Sequence, residues 1–325
     1  MNKNINLILF FIIFLQSYSL EMISPPKLNW GDTIMIIAPG TNASIDKLEK
    51  IEKNLKTLGF KVKFGKSCFI NYGYLAGNDK LRLKDLHSAF LDDEVKAIIA
   101  LRGGYGSIRL LDMIDYDMIR RHPKIFVGYS DITILHIALN QKAGLITYHG
   151  PMAASDFYYG LDKFTHNSFF NTILKGRKKV KIKNPEGEEM KTLVSGQTVG
   201  QVVGGNLTMI VATLGTPYEI NTKDKIFFIE ESGSKLYKID RMLNQLKLAG
   251  KFKDAKGVIF GDFKETHEED TLFKLKEVLK IAINGKKPII YNVKIGHSKP
   301  KITFPLGAKI YLDSEKKIIK IIDDI

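Results

Sequence analysis

Residues 124–139, KIFVGYSDITILHIAL, pass from an apolar run through Gly128 into the helical spacing of Ile132, Leu135 and Leu139, and Ser130 stands at the turn. A side chain lifted off a strand end onto a helix N-terminus meets backbone N–H groups that stabilise developing negative charge, which suits a nucleophile. The same place suits a helix cap, because serine is a preferred N-cap and Asp131 fits a first turn. The G-x-S-x-G elbow is only half present: Gly128 precedes the serine, but Ile132 stands where the second glycine would be.

A nucleophilic serine needs a base, and the base needs a carboxylate to orient it. Of the seven histidines, His136 lies on the helix after Ser130 and His122 lies before the strand, so local geometry favours neither. His149 in TYHGPM and His297 in KIGHSKP sit beside glycines at the ends of apolar runs. Glu230 and Glu231 close the run Ile226-Phe227-Phe228-Ile229, and a helix cap or an ion pair with Arg241 would account for one of the two. GGYGSIR fails as a dinucleotide loop because Arg109 replaces the third glycine. No H-E-x-x-H, cysteine pair or histidine cluster supports a metal. The expectation is a hydrolase with no cofactor and no metal.

The elements that must hold these residues alternate at first. DTIMIIAPG, FKVKFG, VKAIIALRGGYG and KIFVGYS read as short buried strands ending at glycine or serine turns, with helices such as IDKLEKIEKNLKTLG and DKLRLKDLHSAFLDD between them. That alternation predicts an α/β unit with a parallel sheet, whose ligand sites lie at the carboxyl ends of the strands, where Ser130 and the Arg102-Gly103-Gly104 turn both fall. The expected organisation is an N-terminal α/β domain over 25–154 that carries the nucleophile, a linker or peripheral segment over 155–194, and a β-rich C-terminal α/β domain over 195–325.

Composition bounds the rest. With 325 residues and 44% hydrophobic content the chain fills two cores and is neither disordered nor fibrous. Lys plus Arg exceed Asp plus Glu by 49 − 35 = 14, but the lysines are dispersed, so nucleic acid is not expected as a partner and an anionic polymer or surface fits better. Residues 1–19 follow the layout of a signal peptide: Lys3, an apolar run over 5–15, then Ser17-Tyr18-Ser19. That run is shorter than the ~20 residues of a membrane-spanning helix. Cleavage would give an exported, periplasmic or extracytoplasmic protein with no stable membrane span, the alternative being an uncleaved anchor. The single Cys68 allows no internal disulfide.

Several stretches in order, LRGGYGSIRLLDMIDYDMI, HPKIFVGYSDITILHIAL, TYHGPM, GQVVGGNLTMI, FFIEESGSKLYKIDRMLNQLKLAG, GVIFGDF and IGHSKPKITFPLGAKIYLD, together resemble the LD-carboxypeptidase family of serine peptidases. The resemblance implies a flavodoxin- or amidotransferase-like N-terminal domain, a β-rich C-terminal domain and an active site in the cleft between them. It also implies a triad: Ser130 as nucleophile, His297 as base and Glu230 as orienting acid, with Glu231 where the family often has aspartate. Backbone N–H groups of Asp131 and Gly103 are the implied oxyanion donors, and Arg102, Gly104 and His149 are candidates for substrate binding. The implied reaction releases a C-terminal D-amino acid, D-alanine, from an L,D-peptide bond of murein tetrapeptide. Two alternatives are a self-immunity peptidase acting on a peptidyl-nucleotide antibiotic and a catalytically silent wall-peptide binder. Homodimers occur among such proteins.

Overall fold

The structure is a computed structural model that describes residues 20–174, 180–264, 274–283 and 285–323. The expected signal peptide, residues 1–19, lies outside the described residues.

Five short apolar runs form parallel strands: β1 (Thr33–Ile37), β2 (Lys61–Phe64), β3 (Val95–Ala100), β4 (Ile125–Gly128) and β5 (Thr147–His149), in the spatial order β2-β1-β3-β4-β5. Helices α1 (Asp46–Thr57), α2 (Asp79–Leu91), α3 (Tyr116–Arg121) and α4 (Thr133–Ala138) make the crossovers. Because successive strand residues face opposite ways, Ile34 and Ile36 of β1 enter a core shared with Leu48, Ile51 and Leu55 of α1, while Met35 and Ile37 enter another with Leu86 and Phe90 of α2. Burial on both faces explains why β1 and β4 read as continuous apolar runs, whereas the edge strand β2 alternates lysine with apolar residues.

Residues 155–194, expected to link the two halves or lie at the periphery, supply α5 (Lys163–Ile173), whose Phe169, Phe170 and Ile173 are buried in the first of these cores, and two short strands, β6 (Lys181–Ile182) and β7 (Lys191–Val194). The second half follows as β8 (Gln197–Asn206), α6 (Leu207–Ala212), β9 (Ile226–Ser232), α7 (Leu236–Leu248), α8 (Lys251–Asp254), β10 (Gly257–Lys264), α9 (Leu275–Ala282), β11 (Ile289–Tyr291), β12 (Phe304–Leu306), β13 (Lys309–Asp313) and β14 (Ile318–Ile321). Its sheet runs β6-β14-β13-β8-β9-β10-β11-β7, so β6 and β7 close its two edges. The centre, β8 to β11, is parallel, and Phe227 and Ile229 pack under α7 while Ile226 and Phe228 face the core that continues to the first sheet.

One strand crosses the expected boundary at residue 195. β12 leaves the second half and pairs antiparallel with β5, placing Phe304 opposite His149 at the edge of the first sheet. The sequence reading assigned this segment to the C-terminal domain because a three-residue strand 155 positions from its partner carries no local signal of where it pairs.

Candidate active site

Ser130 opens a 3-10 turn, Ser130–Ile132, directly after β4 and Tyr129. Its φ of 65° places a non-glycine residue in the left-handed region, at a cost of order 1 kcal/mol. Neither this turn nor α4 is started by a side-chain cap, so capping does not explain the serine. The strained turn re-aims the half-buried side chain away from the strand direction. His136 is fully buried, its pKa is pushed down to about 3 by burial, and its Nε2 is hydrogen-bonded to Gly128 O at 2.9 Å. It pins α4 to β4.

The glycine loop after β3 lies against the serine. A Cβ added to Gly103 would stand 2.8 Å from Ser130 Cβ, 3.0 Å from Ser130 Oγ and 3.3 Å from the Asp131 nitrogen. Gly103 therefore keeps open the space beside both the hydroxyl and a backbone donor. Gly104 has φ 94° and packs on Thr41, whose Oγ1 accepts the Tyr105 N–H at 3.0 Å. Arg102 is exposed, with Nη1 at 3.5 Å from Asn42 O. Two buried side chains hold this loop: Asp131, noted in the sequence only for its backbone N–H and its place in the first turn, and Arg82, which the sequence did not single out. Asp131 Oδ2 accepts the Ser107 N–H at 3.0 Å, and burial raises its carboxyl. Arg82, 1% exposed, donates from Nη1 to Gly106 O at 3.0 Å and to Pro39 O, and pairs through Nη2 with Asp79.

The second half brings Glu230 and His297 together. Glu230 lies near the end of β9, fully buried, and its Oε2 accepts from His297 Nδ1 at 2.7 Å. The His297 side chain is 19% exposed, so the far side of its ring faces out of the core. Tyr129, the residue before Ser130, meets the His297 ring edge-on at 4.9 Å between centroids. Burial alone would raise Glu230, but the imidazoles of His149 and His297 outweigh it and hold the carboxyl low, at about 2. Glu231, raised by burial, is engaged elsewhere: Oε2 accepts Thr208 N and Oγ1 at 2.9 and 2.8 Å, and Oε1 accepts Ser232 N and Ser234 Oγ at 3.1 and 3.2 Å. The adjacent glutamates thus divide into one that holds an imidazole and one that ties down the start of α6.

A direct link joins the halves. Asn206 stands opposite Glu230 in the β8–β9 register and donates its N–H to Thr133 Oγ1 at 3.0 Å, at the start of α4. A Cβ on the preceding Gly205 would reach within 2.6 Å of Thr133, so glycine permits the approach. Beneath Tyr129 lies Lys301, 1% exposed, with Nζ 4.0 Å from the Tyr129 ring centre and 2.9 Å from Asp156 Oδ1. His149 is also 1% exposed and lies behind Glu230 rather than at an open surface, its Nε2 3.7 Å from Glu230 Oε1. The Tyr129–Lys301–Asp156 group was not legible in sequence, since buried lysine is indistinguishable there from a solvated one.

A buried carboxylate holds the imidazole of His297 on one side, the ring meets Tyr129, the neighbour of the strained Ser130, and Gly103 leaves space beside the Ser130 hydroxyl; such groups suit general-base attack and oxyanion stabilisation. Among the described residues no group of three or more His, Cys, Asp or Glu side chains is placed to hold a metal ion. No helix among them is long and apolar enough to cross a membrane.

Residues 34–150 match the LD-carboxypeptidase N-terminal domain and residues 199–312 the LD-carboxypeptidase C-terminal domain. The chain is 43% identical over 302 residues to the probable murein peptide carboxypeptidase of Bacillus subtilis, covering 90% of this chain and 92% of that protein. Its fold superposes on the crystal structure of muramoyltetrapeptide carboxypeptidase from Oxalobacter formigenes with a TM-score of 0.77 at 31% identity, over 89% of this chain and 97% of the other. It also superposes on the wild-type microcin C7 self-immunity protein MccF in its apo state, with a TM-score of 0.86 at 26% identity, over 92% and 98% of the two chains.

Proposed function

This chain belongs to the LD-carboxypeptidase family, and from that premise we propose that it is a serine-type carboxypeptidase that removes the terminal D-amino acid from an L,D-peptide bond of murein tetrapeptide. The observation that supports the reading is the 2.7 Å bond between the buried Glu230 carboxylate and His297 Nδ1, with Tyr129, the residue before Ser130, edge-on to the same ring at 4.9 Å. His297 Nε2 takes the Ser130 proton as Oγ attacks the carbonyl carbon. The negative charge that forms on the oxygen is met by the N–H groups of Gly103 and Asp131, and Glu230 stabilises the imidazolium. The imidazolium then protonates the departing amine, which leaves as the free D-amino acid, and a water activated by His297 hydrolyses the acyl-serine.

The 43% identity to a probable murein peptide carboxypeptidase favours wall peptide as substrate. The match to MccF supports a second reading, cleavage of a peptidyl-nucleotide. Incubation with purified murein tetrapeptide and mass spectrometry separates them: tripeptide plus D-alanine is the expected product, abolished by Ser130→Ala. Turnover of a peptidyl-nucleotide alone would favour the second reading, and unchanged turnover by Ser130→Ala would remove the serine mechanism. We also propose that residues 1–19 direct export, which N-terminal sequencing of the fractionated protein tests; an intact Met1 on a soluble cytoplasmic species refutes it.

A further inference from the structure

Glu230 stands between two imidazoles. His297 occupies Oε2, while Oε1 is buried, accepts no hydrogen bond and looks at His149 Nε2 across 3.7 Å. Two glycines close in beside it: Cβ atoms added to Gly296 and Gly261 would lie 3.1 Å from Glu230 Oε2 and 3.2 Å from Glu230 Cβ. His149 is itself boxed in. It sits on β5 in register with Gly128 of β4 and Phe304 of β12, its ring edge-on to Phe228 at 5.4 Å and beside Tyr129 at 5.7 Å. Both of its ring nitrogens are buried without a partner.

We propose that His149 is a positioning residue for the acid: it carries its proton on Nε2, points that N–H at Glu230 Oε1, and so fixes the carboxylate in the orientation that presents Oε2 to His297. A ring with its lone pair aimed at a buried carboxylate at this distance would be repelled, so the facing nitrogen is the protonated one. Burial lowers His149, which keeps the ring neutral and makes it a donor that adds no charge to the pair. The other groups that bear on this cluster are Lys301, Glu231, Tyr129, His136 and Asp262, and among the described residues none of them bonds Oε1. A carboxylate tied at one oxygen can rotate about its last side-chain bond. An N–H dipole facing the other oxygen at 3.7 Å favours one rotation and so supports the aim of His297.

The proposal rests on the triad reading, and its test is arranged so that the two fail separately. In wild-type protein, nitrogen-15 and proton spectra of histidine-labelled material read His149 directly. A neutral Nε2–H ring that does not titrate between about pH 5 and 8 is expected; an Nδ1–H tautomer, or titration in that window, overturns the proposal whatever the activity. Two variants then read the consequence. His149→Phe keeps the ring and loses the N–H dipole, so the acid limb of kcat/KM moves to higher pH by up to about one unit and kcat falls about three- to tenfold, below the effect of a full hydrogen bond to a charged group. His149→Gln returns an N–H at nearly the same reach and restores the limb. Equal losses in both variants with an unmoved limb would show a packing role only. If Ser130→Ala keeps activity while the spectra are as expected, the triad reading fails and the His149–Glu230 contact stands.

Discussion

Replacing Gly103 by alanine isolates the oxyanion pocket from the rest of the site. Gly103 is not among the glycines with positive φ, so alanine meets no backbone penalty. The new methyl would stand 2.8 Å from Ser130 Cβ, where carbon atoms normally approach only to about 3.5 Å, so the loop or the serine must yield by about 0.7 Å. The same methyl fills the space beside Ser130 Oγ and the Asp131 N–H that a developing oxyanion needs. A displacement of that order costs about 10²-fold, and loss of one oxyanion donor about 10²–10³-fold in kcat. Because the position is at the rim of the core, the stability cost should be at the low end of overpacking, about 1 kcal/mol. The assay is steady-state release of D-alanine from murein tetrapeptide, with urea denaturation alongside. The expected result is a fall in kcat of at least about a hundredfold with KM little changed. Gly104→Ala makes the contrast: its φ of 94° and contact with Thr41 predict a larger loss of stability. A Gly103→Ala enzyme that folds and retains kcat within about threefold of wild type would refute the placement of the oxyanion beside Gly103.

The neighbouring glutamates should separate cleanly. Glu230→Gln lowers kcat by about 10³-fold or more through loss of the imidazole's orienting charge, while Glu231→Ala lowers stability by about 1–3 kcal/mol by freeing Thr208, Ser232 and Ser234; equal kinetic losses in Glu230→Gln and Glu231→Gln would mean the acid has been misassigned. Arg82→Met leaves Pro39 O and Gly106 O without their donor and should cost about 3 kcal/mol in denaturant unfolding, together with a fall in kcat/KM as the glycine loop loosens. A loss below about 1 kcal/mol would show that the clamp is dispensable.

The parallel sheet of the first half was readable because each crossover is local: an apolar run, a glycine turn and a helix with periodic burial follow one another within thirty-odd residues. The same locality exposed Ser130 and the glycine loop, whose positions at strand ends follow from the pattern. The meeting of Glu230 with His297 is different in kind. Sixty-seven positions separate them, and their bond depends on β9 and the loop after β11 converging, which no periodicity records. That pairing came from resemblance. Arg82 reads as one more charge on a lysine-rich helix, yet it is sealed from water where the turns at Pro39 and Gly106 close over its guanidinium. The resemblance offered His149 as a candidate for substrate binding; in the structure it is 1% exposed, where β12 returns alongside β5.

That return has a consequence for how the chain can be cut and made. Nine residues after His297, the polypeptide reaches Leu306 and completes the edge of a sheet whose other strands were all laid down before residue 150. A fragment ending at the natural-looking break near residue 195 would expose β5 as an unpaired apolar edge, the kind of surface that recruits other chains. The first half is therefore an unfinished object during synthesis: until residues 297–306 have left the ribosome, it has neither its closing strand nor the histidine that meets Glu230. Activity and solubility arrive with the same short segment.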